Sequence, residues 1–224
     1  AADPSTDPLL RLLGNDQFDS EELNAYELGY RWQASPAFSL DLATFYNRYD
    51  GLASLELSSP FATPEGRTIV PIVNRNLTDG NAHGFEALLT YAPVRNWRVT
   101  MSYSFVDLNL DPHGMDLNRG EYYEGATPRH QLSVRSYLDL PGGVQLDAHF
   151  RYIDELERSP DIVTGEGIGS YSELDLRLAW QFTDALELSL VGKNLLDDHH
   201  AEFGPPEGRG GIERSVYGKV TYGF

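Results

Sequence analysis

Hydrophobic and polar residues alternate along most of this chain, most cleanly in its last stretch, Ser170 to Phe224. In Tyr171–Trp180 one set of alternate positions holds Leu174, Leu176, Leu178 and Trp180, and the other holds Tyr171, Glu173, Asp175, Arg177 and Ala179. Phe182 to Ala185 reads as a short turn. Leu186, Leu188 and Leu190 then oppose Glu187, Ser189 and Lys193, and a final run sets Val216, Val220, Tyr222 and Phe224 against Ser215, Lys219 and Thr221. Side chains of a strand point alternately to opposite faces, so this period of two predicts strands with one apolar and one hydrated face. Earlier runs repeat it at Asn24–Trp32, from Phe38 to Tyr49, from Gly84 to Tyr91, at Trp97–Phe105, from Pro128 to Leu138 and at Val144–Tyr152. About ten strands result, of roughly the 9–11 residues that a tilted membrane-spanning strand needs. Leu9 to Leu13 is compatible with a helical turn or with a loop segment packed on something else.

Two environments reward such a pattern. The apolar face meets a second sheet in a sandwich, or it meets lipid while the other face lines a watery lumen. Unlike charges and long polar side chains on the wet face of every strand favour the lumen. Trp180 and Tyr222 end apolar faces, where membrane-interface aromatics belong. The connections alternate as well. Short turns fall near Ser35, Arg95, Gly142 and Asp184, whereas long polar stretches surround Pro60, Gly114, Gly165 and Pro206. Short turns at one rim and long loops at the other are the pattern of an outer-membrane barrel. The expected fold is therefore all-β: an antiparallel transmembrane β-barrel segment with short periplasmic turns and long extracellular loops.

Composition narrows the function classes. A formal charge of -17 argues against a nucleic-acid partner, and the absence of cysteine removes disulfides and thiolate metal sites. No apolar run approaches the ~18 residues of a spanning helix. Ala1-Ala2-Asp3-Pro4 lacks the features of a signal peptide and the chain does not start with Met, so a processed chain and a fragment of a longer protein both fit, and the fragment is the favoured expectation.

Four stretches carry a resemblance to the C-terminal barrel portion of TonB-dependent outer-membrane receptors. Asn24 to Arg31 is similar to the family's "YElGyR" strand, Phe45 to Asp50 to its "FYNRYD" strand end, and Gly84-Phe85-Glu86 to its "GxE" opening. Gly192 to Asp197, followed by a last strand ending in Phe224, resembles its "GxNLxD" and terminal aromatic. The resemblance covers nearly all of residues 1–224, with 1–23 as a loop leading into the first strand and no plug domain. It implies part of a barrel of about twenty-two strands that takes up scarce ligands such as ferric siderophores, driven through TonB. The implied partners are a ferric chelate, the TonB complex acting through the plug, the barrel-assembly machinery, lipid and lipopolysaccharide; no cofactor is implied. A passive porin-like or structural barrel is the alternative, and a soluble all-β binding module a further one.

Candidate site residues follow. Tyr122 and Tyr123, with Arg119 and Arg129, lie in and beside the second long loop, and aromatics with arginines suit planar anionic chelates. Tyr222 and Phe224 form the terminal aromatic signal that the family's assembly machinery reads. Asp197, Asp198, His199, His200 and Glu202 have the composition of a metal cluster, but adjacent residues do not all converge on one ion, and no metal is expected. Ser133, His149 and Asp147 offer the residue types of a hydrolytic triad. Lumen-wall polarity explains them more simply, and no enzyme is expected.

Overall fold

A computed structural model of the chain describes residues 8–118, 123–158, 166–202 and 210–223. The strands, in chain order, are β1 (Leu9–Leu13), β2 (Glu22–Ser35), β3 (Phe38–Leu57), β4 (Phe61–Ala62), β5 (Thr68–Val94) and β6 (Trp97–Pro112). They continue with β7 (His130–Leu140), β8 (Val144–Ile153), β9 (Tyr171–Thr183), β10 (Leu186–Lys193), β11 (His199–Ala201), β12 (Gly211–Glu213) and β13 (Ser215–Tyr222). The all-β, largely antiparallel class expected from the alternation is the observed one. The chain forms two compact units, residues 27–45, 83–107 and 125–224 in one, and 1–26, 46–82 and 108–124 in the other.

In the larger unit the strands run β2-β3-β5-β6-β7-β8-β9-β10-β13, each beside its sequence neighbour in this unit. All four short turns fall where the breakers predict them. Between β7 and β8, Gly142 and Gly143 both have positive φ (80° and 75°), which a residue with a Cβ adopts only at a cost. The turn is fixed to β9, because Gln181 N donates to Gly143 O at 2.8 Å and Trp180 Nε1 to Gly142 O at 3.2 Å.

Register carries the two-face pattern from β6 through β10 to β13. Val144, Leu146, Ala148 and Phe150 stand opposite Trp180, Leu178, Leu176 and Leu174. Leu188 stands between Trp180 and Val220, and Met101 opposite Val134. One face is thus mainly apolar, with Ser136 and His130 among its polar positions. That face is the exposed one: Leu178, Leu190 and Val220 are 49, 55 and 68% exposed, whereas Glu173 and Ala179 on the other face are 3 and 2% exposed. No second sheet covers the apolar face among the described residues; Leu174 and Val99 are half-buried and Leu188 is exposed. A water-soluble sheet would bury its leucines first. The inversion is what hydrocarbon outside and charge inside require.

Aromatics gather at the short-turn end of the apolar face. Trp32 packs edge-on against Phe38, Phe38 against Tyr91, and Trp180 against Phe182, with centroids 5.9, 6.3 and 4.9 Å apart. Trp97 Nε1 donates to Ser136 Oγ at 3.0 Å. Exposed rings with satisfied N–H groups are the make-up of an interfacial aromatic girdle.

The smaller unit corrects the loop boundaries. The stretch from Asp50 to Asn81 reads as a polar excursion, yet β3 continues to Leu57 and β5 begins at Thr68. Leu9–Leu13 is a strand, parallel to Ile69–Val73, not a helical turn. Side chains bonded to backbone hold this unit where apolar packing is thin. Asn76 Nδ2 donates to Gly51 O (2.7 Å) and Asp19 O (3.0 Å), and Gly51 N donates to Asp79 Oδ1 (2.9 Å). The buried Glu56 carboxylate accepts from Met115 N (2.8 Å) and Asp116 N (3.2 Å). The second long loop likewise opens late, because β6 runs to Pro112.

Candidate functional site

The polar face of the larger unit carries its chemistry. Register places Asp147 opposite Arg177 and Arg151 opposite Glu173, so unlike charges meet across neighbouring strands, and sets Arg135 opposite His149. Arg177 lies between Asp147 Oδ2 (2.9 Å) and Glu187 Oε1 (2.8 Å); Lys193 Nζ reaches Asp175 Oδ2 at 2.6 Å. Arg31 bonds Asp41, and Arg151 bonds the buried carboxylate of Glu173. A cavity of about 980 Å³ is lined on this face by Arg31, Glu86, Ser104, Arg135, His149 and Arg151, among others. A smaller one of about 330 Å³ lies over Asp147, Arg177, Lys193, Tyr217 and Lys219. Such a wall carries both signs of charge.

Two resemblance motifs have a physical job here. A Cβ at Gly84 would lie 2.2 Å from Phe105 O and 2.8 Å from the Phe45 ring, so only glycine lets that aromatic cover the strand. Asn194 is fully buried with a left-handed φ of 49°. Its backbone N donates to Asp175 Oδ1 (3.0 Å) and its Nδ2 to Ile212 O (3.0 Å), which ties the end of β10 to β9 and to β12.

The acidic and histidine stretch that follows divides. Asp198 pairs outward with Arg214 at 3.1 Å, and His199 is exposed. His200 turns inward, 8% exposed, against a residue from another strand: its Nε2 lies 3.4 Å from Glu173 Oε1 and 3.6 Å from Glu202 Oε1. The Tyr171 ring stacks on the imidazole with centroids 4.1 Å apart and planes 16° apart, and its hydroxyl donates to Glu202 Oε1 at 3.2 Å. Sequence spacing gives no sign of Glu173, twenty-seven positions upstream; only strand pairing brings it in.

Of the triad-like residues, Ser133 Oγ does lie 3.0 Å from His149 Nε2. Asp147, however, is engaged by Arg177, and Arg135 Nε also points at His149 Nε2, at 3.4 Å. The carboxylate that would orient the imidazole is thus committed elsewhere. Among the loop candidates, Tyr123 is 52% exposed and Arg129 Nε stands 3.6 Å from Asp107 Oδ1. Arg119 and Tyr122 lie outside the described residues, as does Phe224. Tyr222 faces outward opposite Leu186 and is 67% exposed.

Residues 3–195 match the family described as TonB dependent receptor-like, beta-barrel. Similar solved structures include the ferric-catecholate import receptor Fiu from E. coli K12, at 18% identity and a TM-score of 0.72 over 94% of this chain. The pyoverdine outer membrane receptor FpvA from Pseudomonas aeruginosa PAO1 aligns at 17% identity and 0.68 over 91%. The copper transporter OprC aligns at 14% and 0.61 over 93%. The chain spans 29, 30 and 33% of the length of these three. No curated protein sequence matches it.

Proposed function

The chain belongs to the TonB-dependent receptor β-barrel family, and from that premise we propose that it forms the C-terminal part of an outer-membrane receptor for active uptake of a ferric siderophore or similar scarce chelate. The observation that carries this reading is the inverted exposure of its sheet, leucines and tryptophans outward and paired charges inward. Lipid is the medium that rewards it. The edge strands β2 and β13 are exposed along their length, and bare strand edges are untenable in hydrocarbon. The remaining strands of a barrel of about twenty-two supply their partners. The larger unit then contributes a stretch of lumen wall, with short turns in the periplasm.

Transport runs by binding and passage, without covalent chemistry. Arginines on the polar face attract an anionic chelate, and the carboxylates beside them keep the wall hydrated and the attraction weak enough for release. Tyr122, Tyr123, Arg119 and Arg129 take part in the outer vestibule by stacking and ion pairing. Passage draws on TonB through a plug domain. Tyr222 and Phe224 direct assembly into the outer membrane.

The test is uptake of radiolabelled ferric chelates by iron-starved cells with and without the full receptor gene. Loss of uptake for one chelate class, restored by the gene and abolished by loss of TonB, is the expected result. Uptake that survives deletion of TonB would instead establish a passive pore. Within the restored strain, Tyr122→Ala with Tyr123→Ala lowers uptake; no change removes these two residues from the vestibule.

A further inference from the structure

The geometry points to a divalent transition-metal site, of the zinc class, built by Glu173, His200 and Glu202. One donor atom from each of the three lies within 4.8 Å of the other two. The two distances from His200 Nε2, 3.4 and 3.6 Å, are too long for good hydrogen bonds, and this buried nitrogen has no hydrogen-bond partner. An imidazole nitrogen aimed between two carboxylates without bonding either is costly by itself. The same spacing suits an ion. In a tetrahedron with metal–ligand bonds of about 2.1 Å, neighbouring donors lie roughly 3.4 Å apart.

The surroundings prepare each ligand. Arg151 holds the other oxygen of Glu173 and offsets part of its charge, leaving Oε1 toward His200. Tyr171 fixes the imidazole plane by stacking and steadies Glu202 through its hydroxyl. On the far side of the ring, Asn194 Nδ2 lies 3.4 Å and Asp197 Oδ2 3.8 Å from Nδ1. Asn194 Nδ2 also donates to Ile212 O at 3.0 Å, so the Nδ1 edge of the ring is held toward β12 while Nε2 faces the two carboxylates. One imidazole and two carboxylates form a borderline-to-hard donor set, and three protein ligands leave a fourth position for water. Glu202, whose side chain is 28% exposed, is the side from which the ion enters. Bound there, the ion would cross-link the β11–β12 hairpin to the start of β9.

The receptor containing this chain, purified in detergent and stripped with chelator, is titrated with Zn2+ by calorimetry and with Co2+ by visible absorption. One equivalent of Co2+ should give the intense bands of a four-coordinate site, displaced by Zn2+. Zn2+ should also slow amide exchange at residues 199–202 and 211–213. His200→Ala and Glu202→Gln should each weaken binding about 100-fold or more. His199→Ala, altering the exposed neighbour, should change affinity less than about twofold. Each variant is first checked for native heat-modifiable mobility; if His200→Ala fails that check, Glu202→Gln decides. Binding that is equal in parent and Glu202→Gln, or lost equally in His199→Ala, overturns the site, as does an absence of any Co2+ band in the parent.

Discussion

A single arginine on the apolar face measures whether that face meets lipid. Met101 is the place to put it. On β6, Trp97 belongs to the short-turn aromatics, while Phe105 joins a second aromatic group, 6.0 Å from the Phe85 ring and 5.1 Å from His130. Eight residues separate the two levels, about 27 Å along a strand, or about 20 Å in height at a 40° tilt, close to the apolar band of ~25 Å. Met101 lies midway, 39% exposed, opposite Val134. Met101→Arg should therefore cost about 2–4 kcal/mol in a bilayer, some 30- to 700-fold in the folding equilibrium. Ser102→Arg sits one residue on, facing the cavity that Glu86 also lines, and should cost less than about 1 kcal/mol. The assay is reversible urea unfolding of the receptor in lipid vesicles, read by mobility before and after heating. Equal costs, or a larger cost at Ser102, would place an apolar interior behind the polar face and refute the barrel.

Three further outcomes can be measured with the same material. Gly84→Ala should destabilise the barrel by roughly 1–3 kcal/mol, because the new methyl meets backbone Phe105 O as well as the Phe45 ring; Phe45→Leu in the same chain should recover part of the loss, and none recovered would remove Phe45 from the account. Asn194→Ala should cost about 1–3 kcal/mol by deleting the bond to Ile212 O and the polar side chain that lets asparagine adopt a left-handed conformation, read in the same unfolding assay; a cost near zero would show the cap to be dispensable. The hydrogen bond to Asp79 raises the His113 imidazole above its ordinary value, so its stabilisation is full below that ordinary value and fades as pH rises through the raised one. The protection of the amide at position 113, whose N donates to Leu77 O at 2.7 Å, measured relative to the intrinsic exchange rate at each pH, should fall on going alkaline, and His113→Gln should make it independent of pH.

The period of two made the larger unit legible because the membrane enforces it: each strand must keep one face apolar. The four short turns were equally plain, since Pro36, Asn96, Gly142-Gly143 and Asp184 interrupt alternation. In the smaller unit nothing enforces alternation. Residues 50–57 and 68–81 are strand through bonds such as Asn76 to Gly51 and through pairing with β1, neither of which leaves a periodic trace. Their prolines and glycines therefore read as loop. The cluster at His200 was half visible. Its histidine and Glu202 stand in an evident acidic run, but Asp198 and His199 turn away and the decisive Glu173 looks like one more lumen charge.

Low identity with a shared fold follows from the same physics. At 18% identity the match to Fiu still reaches a TM-score of 0.72, because hydrocarbon accepts any leucine, valine or aromatic on the outer face. What cannot vary freely is backbone: Gly84 beneath Phe45, the glycine pair of the β7–β8 turn, and Asn194 closing β10. These positions coincide in part with the motifs that carried the resemblance, so the resemblance reports architecture. On the proposed function, cargo is read by another set of residues, the charges of the polar face and the long connections. Structures named for ferric catecholate, pyoverdine and copper all align over more than nine-tenths of this chain. Exchanging the connection between β6 and β7 for that of a receptor of known cargo should therefore move ligand preference, at a cost in stability from the lost bonds to Glu56, whereas exchanging Gly192–Asp197 for a stretch that keeps Gly192 and Asn194 should leave ligand preference as it is.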